Sequence, residues 1–227
     1  MKKGNNLEFL KRCILFAEMD RLELEQVNNL LESESFNSGD TLFLEGEVGD
    51  KAFFLKKGRV KVIKSTPTGD EQILDIFQPG ELFGEVVLFG IGEYPATAVA
   101  MEQLQVEALS REKFRKYFNQ HPKIAWGMLS IMARKLYRAQ SKIRDLGQRD
   151  AKGRVATLLL DLLNNSGDFQ TEQAILDINR QEMADYIGTT RETVSRTLSE
   201  FRSLKLVEMK DNRIYIKDLA GLKQWIE

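Results

Sequence analysis

Residues 179–204, NRQEMADYIGTTRETVSRTLSEFRSL, read as two short helices joined by a tight turn. Asn179 is placed to cap RQEMADYI, Gly188 supplies the left-handed turn residue, and Thr190 can cap RETVSRTLSEFRSL. A small residue, Ala184, stands where the first helix must approach the second, and Val194 stands on the inner side of the second. Met183, Ile187, Val194 and Leu198 then make a small core, and Thr190, Arg191, Glu192, Thr193, Ser195 and Arg196 face outward. This is helix-turn-helix grammar. Beyond it, LVEMKDNRIYIK (206–217) offers two strands around Asp211-Asn212, a wing with Arg213 near its tip.

The outward residue types suit the edges of stacked bases. An arginine can give two hydrogen bonds to guanine O6 and N7, and a glutamate can accept from cytosine N4. Arg191, Glu192, Ser195 and Arg196 are the candidate base contacts. Arg180, Gln181, Thr190 and Thr193, near helix starts, and Arg213 on the wing are candidate phosphate contacts. A helical pair with a merely solvated charged face is the other reading of these residues. The agreement of cap, small residue, glycine, inner valine, paired arginines and wing favours the first.

Working toward the N-terminus, ILDI (175–178) reads as a short strand and VATLLLDLLNN (155–165) as a buried helix stopped by the turn residues Asn164–Gly167. Gly147–Gly153 reads as a hinge. Before it, Leu129, Met132, Leu136, Ala139, Ile143 and Leu146 step by three and four, a heptad seam on an otherwise basic helix. Such a stripe can pack on its own sheet. Its narrowness, its charged opposite face and its position between two domains favour a parallel two-stranded coil.

In the first half, nine of the sixteen glycines fall between Gly39 and Gly92 and punctuate TLFLE, KAFFLKK, RVKVIKS and EQILDIF. These are strands of an antiparallel sandwich or barrel, turning at Asp40, Thr68-Gly69-Asp70 and Pro79-Gly80 and closed by TAVAM and QVEAL. Helical spacing from Leu7 to Leu31 predicts a cover on one end, and Ser110 can cap a helix that runs to Pro122. Phe16, Phe53, Phe54, Phe77, Phe83 and Phe89 are the expected sandwich core.

Composition narrows the function. The 227 residues, 42% apolar and 30% charged, fit one large or two ordinary globular domains. No apolar run approaches the ~20 residues that cross a bilayer, and MKKGNNLEFLKRC lacks a signal-peptide core, so the expected location is the cytoplasm with no membrane partner. The net charge of −1 advertises no polyanionic partner. Residues 123–154 carry nine basic and two acidic groups, whereas residues 155–227 carry nine basic and twelve acidic. Nucleic-acid binding must therefore rest on a local basic face.

A lone cysteine, Cys13, and a lone histidine, His121, build no metal site within the chain. They are also the only nucleophile–base pair available to an enzyme, and no P-loop or dinucleotide glycine pattern is present, so no catalytic residues are expected. Cys13 lies in the apolar CILFA and reads as an inert buried thiol. A ligand-binding adaptor whose terminal domain contacts protein is the remaining alternative.

RQEMADYIGTTRETVSR, together with GDTLFLEGEVGD, FFLKKGRVKV and PGELFGE (79–85), resembles the CRP/FNR family of bacterial transcription regulators, from about Leu7 onward. The resemblance implies an α+β chain: a cyclic-nucleotide-binding-like β-sandwich of jelly-roll type (1–121), a dimerisation helix and hinge (122–150) and a winged helix-turn-helix (151–227). It implies double-stranded DNA, a second copy and RNA polymerase as partners. Arg191, Glu192 and Arg196 would read bases in a TGTGA-like half-site. Ser195 stands where the cyclic-AMP receptor branch has glycine and is similar to the FNR branch.

The implied effector pocket takes Gly84, Glu85, Pro95, Ala96, Thr97, Lys135, Ala139 and Gln140. Pro95 and Ala96 stand where cyclic-AMP-responsive members carry a phosphate-binding Arg-Ser, and Ala139 and Gln140 replace their adenine-contacting Thr-Ser. Cyclic AMP in the usual pose is not expected. Glu85 is read as a strand-end carboxylate bonded to nearby backbone. With one cysteine, no iron–sulfur cluster is expected, and His121, before Pro122 at a helix junction, is read as a surface or cap residue and not a haem ligand. The effector, or an effector-independent regulator with a non-functional pocket, is left open.

Overall fold

The structure, a computed structural model, describes residues 4–65, 71–90, 92–148, 150–165, 175–176, 178–210 and 213–226; side chains at 4–5, 144–148, 164–165 and 175–176 are outside that description. The chain divides into two compact units, residues 1–65 with 74–137 and residues 66–73 with 138–227.

In the first unit, α1 (Gly4–Arg12), a 3-10 turn (Ile14–Phe16) and α2 (Arg21–Leu30) precede the strands. The single helical stretch expected from Leu7 to Leu31 is thus three pieces. Cys13 is extended, and Asp20 opens α2 afresh by a capping box with Glu23. The strands are β1 (Glu32–Phe36), β2 (Thr41–Phe43), β3 (Lys51–Lys57), β4 (Val60–Ser65), β5 (Glu71–Phe77), β6 (Leu82–Phe83), β7 (Thr97–Ala100) and β8 (Leu104–Ser110). They form two four-stranded sheets, β1-β8-β3-β6 and β2-β7-β4-β5. A 3-10 turn, Glu85–Phe89, follows β6. Then come α3 (Arg111–Gln120), capped by Ser110, and α4 (Ile124–Gln148).

Strand β3 explains how the layers stack. Its run Ala52-Phe53-Phe54-Leu55 is buried throughout, because alternate side chains serve opposite faces of the sheet. Phe53 and Leu55 join Phe43, Phe77, Phe83, Tyr94 and Val106 inside the sandwich. Ala52 and Phe54 meet Phe16, Leu24, Val27, Phe114 and Ile124 under the helices. Phe16 and Phe54 therefore belong to the helical cover and not to the sandwich interior. Phe89 leaves the expected core altogether. It is 53% exposed, at the end of a 3-10 turn stopped by left-handed Gly90, and meets Phe114 edge-on at 5.5 Å.

In the second unit, α5 (Ala151–Asn165), β9 (Ile175–Leu176), α6 (Arg180–Ile187), α7 (Arg191–Ser203), β10 (Val207–Lys210), β11 (Arg213–Ile216) and α8 (Leu219–Lys223) follow the end of α4. The strands form an antiparallel sheet, β10-β11-β9. Val155, Leu159, Met183, Val194, Leu198, Phe201, Ile214 and Leu222 are buried in this unit. The hinge expected across Gly147–Gly153 is shorter. Helix α4 continues through Gln148 and α5 starts at Ala151, with the Asp150 carboxylate accepting from Gly153 N at 2.9 Å, so both glycines lie within helices. The turns read at Thr68-Gly69-Asp70 and Asp211-Asn212, and the stop at Ser166-Gly167, lie outside the described residues.

Candidate functional site

Helix α6 starts on a reciprocal cap: Asn179 Oδ1 accepts from Glu182 N, and Asn179 N donates to Glu182 Oε2, both at 2.9 Å. It ends at Gly188, whose φ of 66° and ψ of 56° lie in the left-handed region that favours glycine. Thr190 Oγ1 then accepts from Thr193 N at 3.3 Å and starts α7. Val194, Thr197, Leu198 and Phe201 share one side of α7 and are buried. Arg191, Glu192 and Arg196 lie on the other side, exposed, with Ser195 half-buried between them.

None of the side chains of Arg191, Glu192 and Arg196 makes a hydrogen bond or ion pair among the described residues. Their neighbours' acids, by contrast, are engaged. Glu182 caps α6, Asp185 accepts from Gln181 Nε2 at 2.7 Å, Glu200 pairs with Lys152 at 2.6 Å, and Glu208 pairs with Lys217 at 2.7 Å. Lys217 also holds the Glu208 carboxyl below its usual range. These four carboxylates are thus partnered elsewhere, and the two guanidinium groups remain available on the open side of α7.

The candidate phosphate contacts are less uniform. Thr190, Gln181 and Arg213 are exposed; Thr193 is half-buried, with its hydroxyl 3.1 Å from that of Thr190. Arg180 is half-buried. Its Nη2 approaches Met209 Sδ at 3.5 Å, and its Nε is buried without a hydrogen-bond partner.

On α4, Leu129, Leu136 and Ile143 are 61–71% exposed, and Met132 and Ala139 are also exposed. Ile124, Met128 and Ile131, on another face, are buried. The seam is therefore distinct from the face that α4 gives to its own unit. The Leu146 side chain lies outside the described residues.

Of the expected effector pocket, the structure brings Glu85 and Lys135 together at 2.7 Å, with Lys135 Nζ 4.9 Å from the Phe77 ring centroid. Glu85 is buried, on the 3-10 turn after left-handed Gly84. Its partner is thus a lysine ammonium, and the reading of a strand-end carboxylate bonded to backbone is corrected. Space beside Gly84 is taken by Phe43, Tyr94 and Phe53, and Phe43 stacks on Tyr94 at 3.8 Å. Thr97 Oγ1 accepts from Glu45 N at 3.0 Å, Ala96 is buried, and Pro95, Ala139 and Gln140 are exposed. Phe77 and Tyr94 are the site residues that sequence reading missed; the first was read only as core.

Cys13 is buried, its thiol donating to Phe9 O at 3.6 Å, and burial pushes its pKa up to about 12. His121 ends α3 and stacks on Tyr117 at 4.1 Å. No group of three His, Cys, Asp or Glu that could hold a metal occurs among the described residues, and no helix there is long and apolar enough to cross a membrane.

Comparison with known proteins gives two family matches, a cyclic nucleotide-binding domain over residues 33–121 and a Crp-like helix-turn-helix domain over residues 153–225. A CRP-like cAMP-activated global transcriptional regulator of Mycobacterium tuberculosis is 29% identical over 217 residues, 95% of this chain and 97% of that protein. Transcriptional activator protein FnrA of Stutzerimonas stutzeri is 30% identical over 81% of this chain and 76% of its own. The crystal structure of a CRP/FNR family transcriptional regulator from Thermus thermophilus matches with a TM-score of 0.72 and 27% identity, covering 86% of this chain and 98% of that one. These relatives are regulators and not enzymes.

Proposed function

The chain belongs to the CRP/FNR family of transcription regulators, with a helix-turn-helix DNA-binding domain, and from that premise we propose that it acts as a homodimer on a palindrome of TGTGA-like half-sites. The observation that carries the reading is α7, whose buried Val194, Leu198 and Phe201 oblige Arg191, Glu192 and Arg196 to face outward, unpartnered. The exposed seam Leu129–Met132–Leu136–Ile143 supports self-pairing, since a narrow heptad stripe left open on a long helix is stabilised by a second copy. Two recognition helices about 34 Å apart then enter successive major grooves. RNA polymerase is the further partner, and the cytoplasm the place of action.

The sensory unit does not fit cyclic AMP in the family's usual pose. Pro95 and Ala96 offer no cation for the phosphate, and the half-buried ammonium of Lys135 is paired with Glu85. The single, deeply buried Cys13 and the stacked, helix-ending His121 support a chain that carries neither an iron–sulfur cluster nor haem.

Fluorescence anisotropy tests the proposal, with a TGTGA-type palindrome and a scrambled duplex of the same length compared at one salt concentration. Preference for the palindrome is expected. Equal affinity for the two duplexes would overturn sequence-specific recognition.

A further inference from the structure

The exposed apolar surface of α4 is wider than its heptad seam. With Leu129 and Leu136 at position a and Met132 at d, Trp126 and Ala133 fall at e, and Ser130 and Tyr137 at b. Trp126 is 67% and Tyr137 68% exposed, as open as the seam leucines, and Ala133 is exposed with them. At about 100° per residue, the open apolar arc from Met132 to Tyr137 covers about 140°, whereas an a/d seam alone is a narrow stripe. Positions e commonly carry Glu or Lys, which water accepts. Here the flank Trp126–Ser130–Ala133–Tyr137 holds no charge, although Arg134, Lys135 and Arg138 occupy other sides of the same turns. Ser130 Oγ donates to Trp126 O at 3.0 Å, so its hydroxyl proton is used within the helix.

Heptad geometry says what covers that flank. In a parallel pair, e of one helix lies beside g of the other. The g residues of this stretch are Met128, buried beneath its own unit, and Lys135, half-buried. The g side of each helix therefore carries its own sensory unit, and the e flank of the opposite helix is directed at that unit. We infer that Trp126, Ser130, Ala133 and Tyr137 form a docking surface for the sensory unit of a second copy, so that each α4 lies between its own sensory unit and its partner's. The inference rests on the parallel homodimer proposed above and extends its interface beyond the coil. A two-fold axis presents the flank twice, and each dimer then removes four aromatic side chains from water in addition to the seam. The small Ser130 and Ala133 between the two rings leave room for the partner's surface to approach the helix.

The test uses the full chain with Trp225→Phe, in which Trp126 is the single indole. Acrylamide quenching and sedimentation equilibrium are followed together through a dilution series, with Leu136→Lys as a second route to the single chain. Trp126 is expected to be shielded from acrylamide, with blue-shifted emission, in the dimer and to be open in the single chain. Trp126→Ser and Tyr137→Ser are each expected to raise the dimer dissociation constant about tenfold or more, the factor that burial of one aromatic side chain supplies. Arg134→Ser, exposed at position f, should leave it unchanged. All three side chains are exposed in the single chain, so the substitutions disturb no interior. A dimer whose Trp126 is quenched as freely as in the single chain would overturn the inference. So would a Tyr137→Ser variant with unchanged self-association, the result that a coil alone gives because b faces away from its seam. A wild-type chain that is monomeric at every concentration would instead sink the homodimer, and the docking surface with it, so that the measured mass tells the two failures apart.

Discussion

Lys56 Nζ lies 2.9 Å from Glu107 Oε1, and the glutamate is 1% exposed. The second carboxylate oxygen accepts from Ser33 Oγ at 2.8 Å, and the same ammonium donates to Asn6 Oδ1 at 2.7 Å. One ion pair thus joins β1, β3, β8 and α1. Lys56→Met leaves Glu107 buried and unpaired and is expected to lower the unfolding free energy by about 3–5 kcal/mol. Adding Glu107→Leu should recover most of that loss, because an apolar replacement of a buried pair is often neutral or stabilising. Denaturant titration of the full chain measures both. A single-variant loss below about 1 kcal/mol would mean that the pair is effectively solvated.

Arg196 and Arg213 should fail differently. A base contact discriminates among sequences, whereas a phosphate contact strengthens binding to all of them. Arg196→Ala is expected to cost about 1–3 kcal/mol on the palindrome and to relax preference at one position. Arg213→Ala should weaken every duplex alike and reduce the slope of log affinity against log salt by about 1. Affinity measured on single-base variants across a salt series separates the roles. Uniform loss on all sequences for Arg196→Ala contradicts base reading.

The helix-turn-helix was legible because each signal is local. Asn179, Gly188 and Thr190 punctuate a span of twelve residues, and the buried positions of α7 repeat at helical spacing. Strand β1 was not legible. ESESF has no apolar alternation, and its strand depends on pairing with β8 and on Ser33 meeting Glu107, 74 residues away. Glu85 was misread for the same reason, since its partner Lys135 is 50 residues distant. Around Gly147–Gly153 the glycines suggested a hinge, but the short-range cap from Asp150 starts α5 before Gly153. The wing was found from its turn pair, whereas α8 was missed although Asp218 caps it, its carboxylate accepting from Gly221 N at 2.9 Å.

Leu136 tests the seam. Its side chain is 61% exposed in the single chain, so a polar replacement disturbs no interior. Leu136→Lys places like charges across a parallel coil and is expected to shift the protein from dimer to monomer, with the thermal unfolding of the isolated sandwich core little changed. Sedimentation equilibrium reads the mass. A variant that remains dimeric at micromolar concentration would place the dimer interface elsewhere.

Cys13 gives a pH dependence whose sign is fixed by burial. Its folded pKa is raised from 9.0 to about 12. Below pH 9 both folded and unfolded thiols hold their proton, and the group makes no difference to stability. Between about 9 and 12 the unfolded chain loses the proton first, so stability falls as pH rises, approaching about 1.4 kcal/mol per pH unit. Tyr94, whose pKa is also raised by burial, steepens the decline at the upper end of that window. Cys13→Ala should remove the part of the slope that starts near pH 9, while lowering stability at neutral pH through the volume it deletes. A thiol reagent should modify the native chain only as fast as the region around Phe9, Cys13 and Phe16 opens, and the unfolded chain at once. Equal rates for the two states at pH 8 would show that the thiol is reachable in the folded protein.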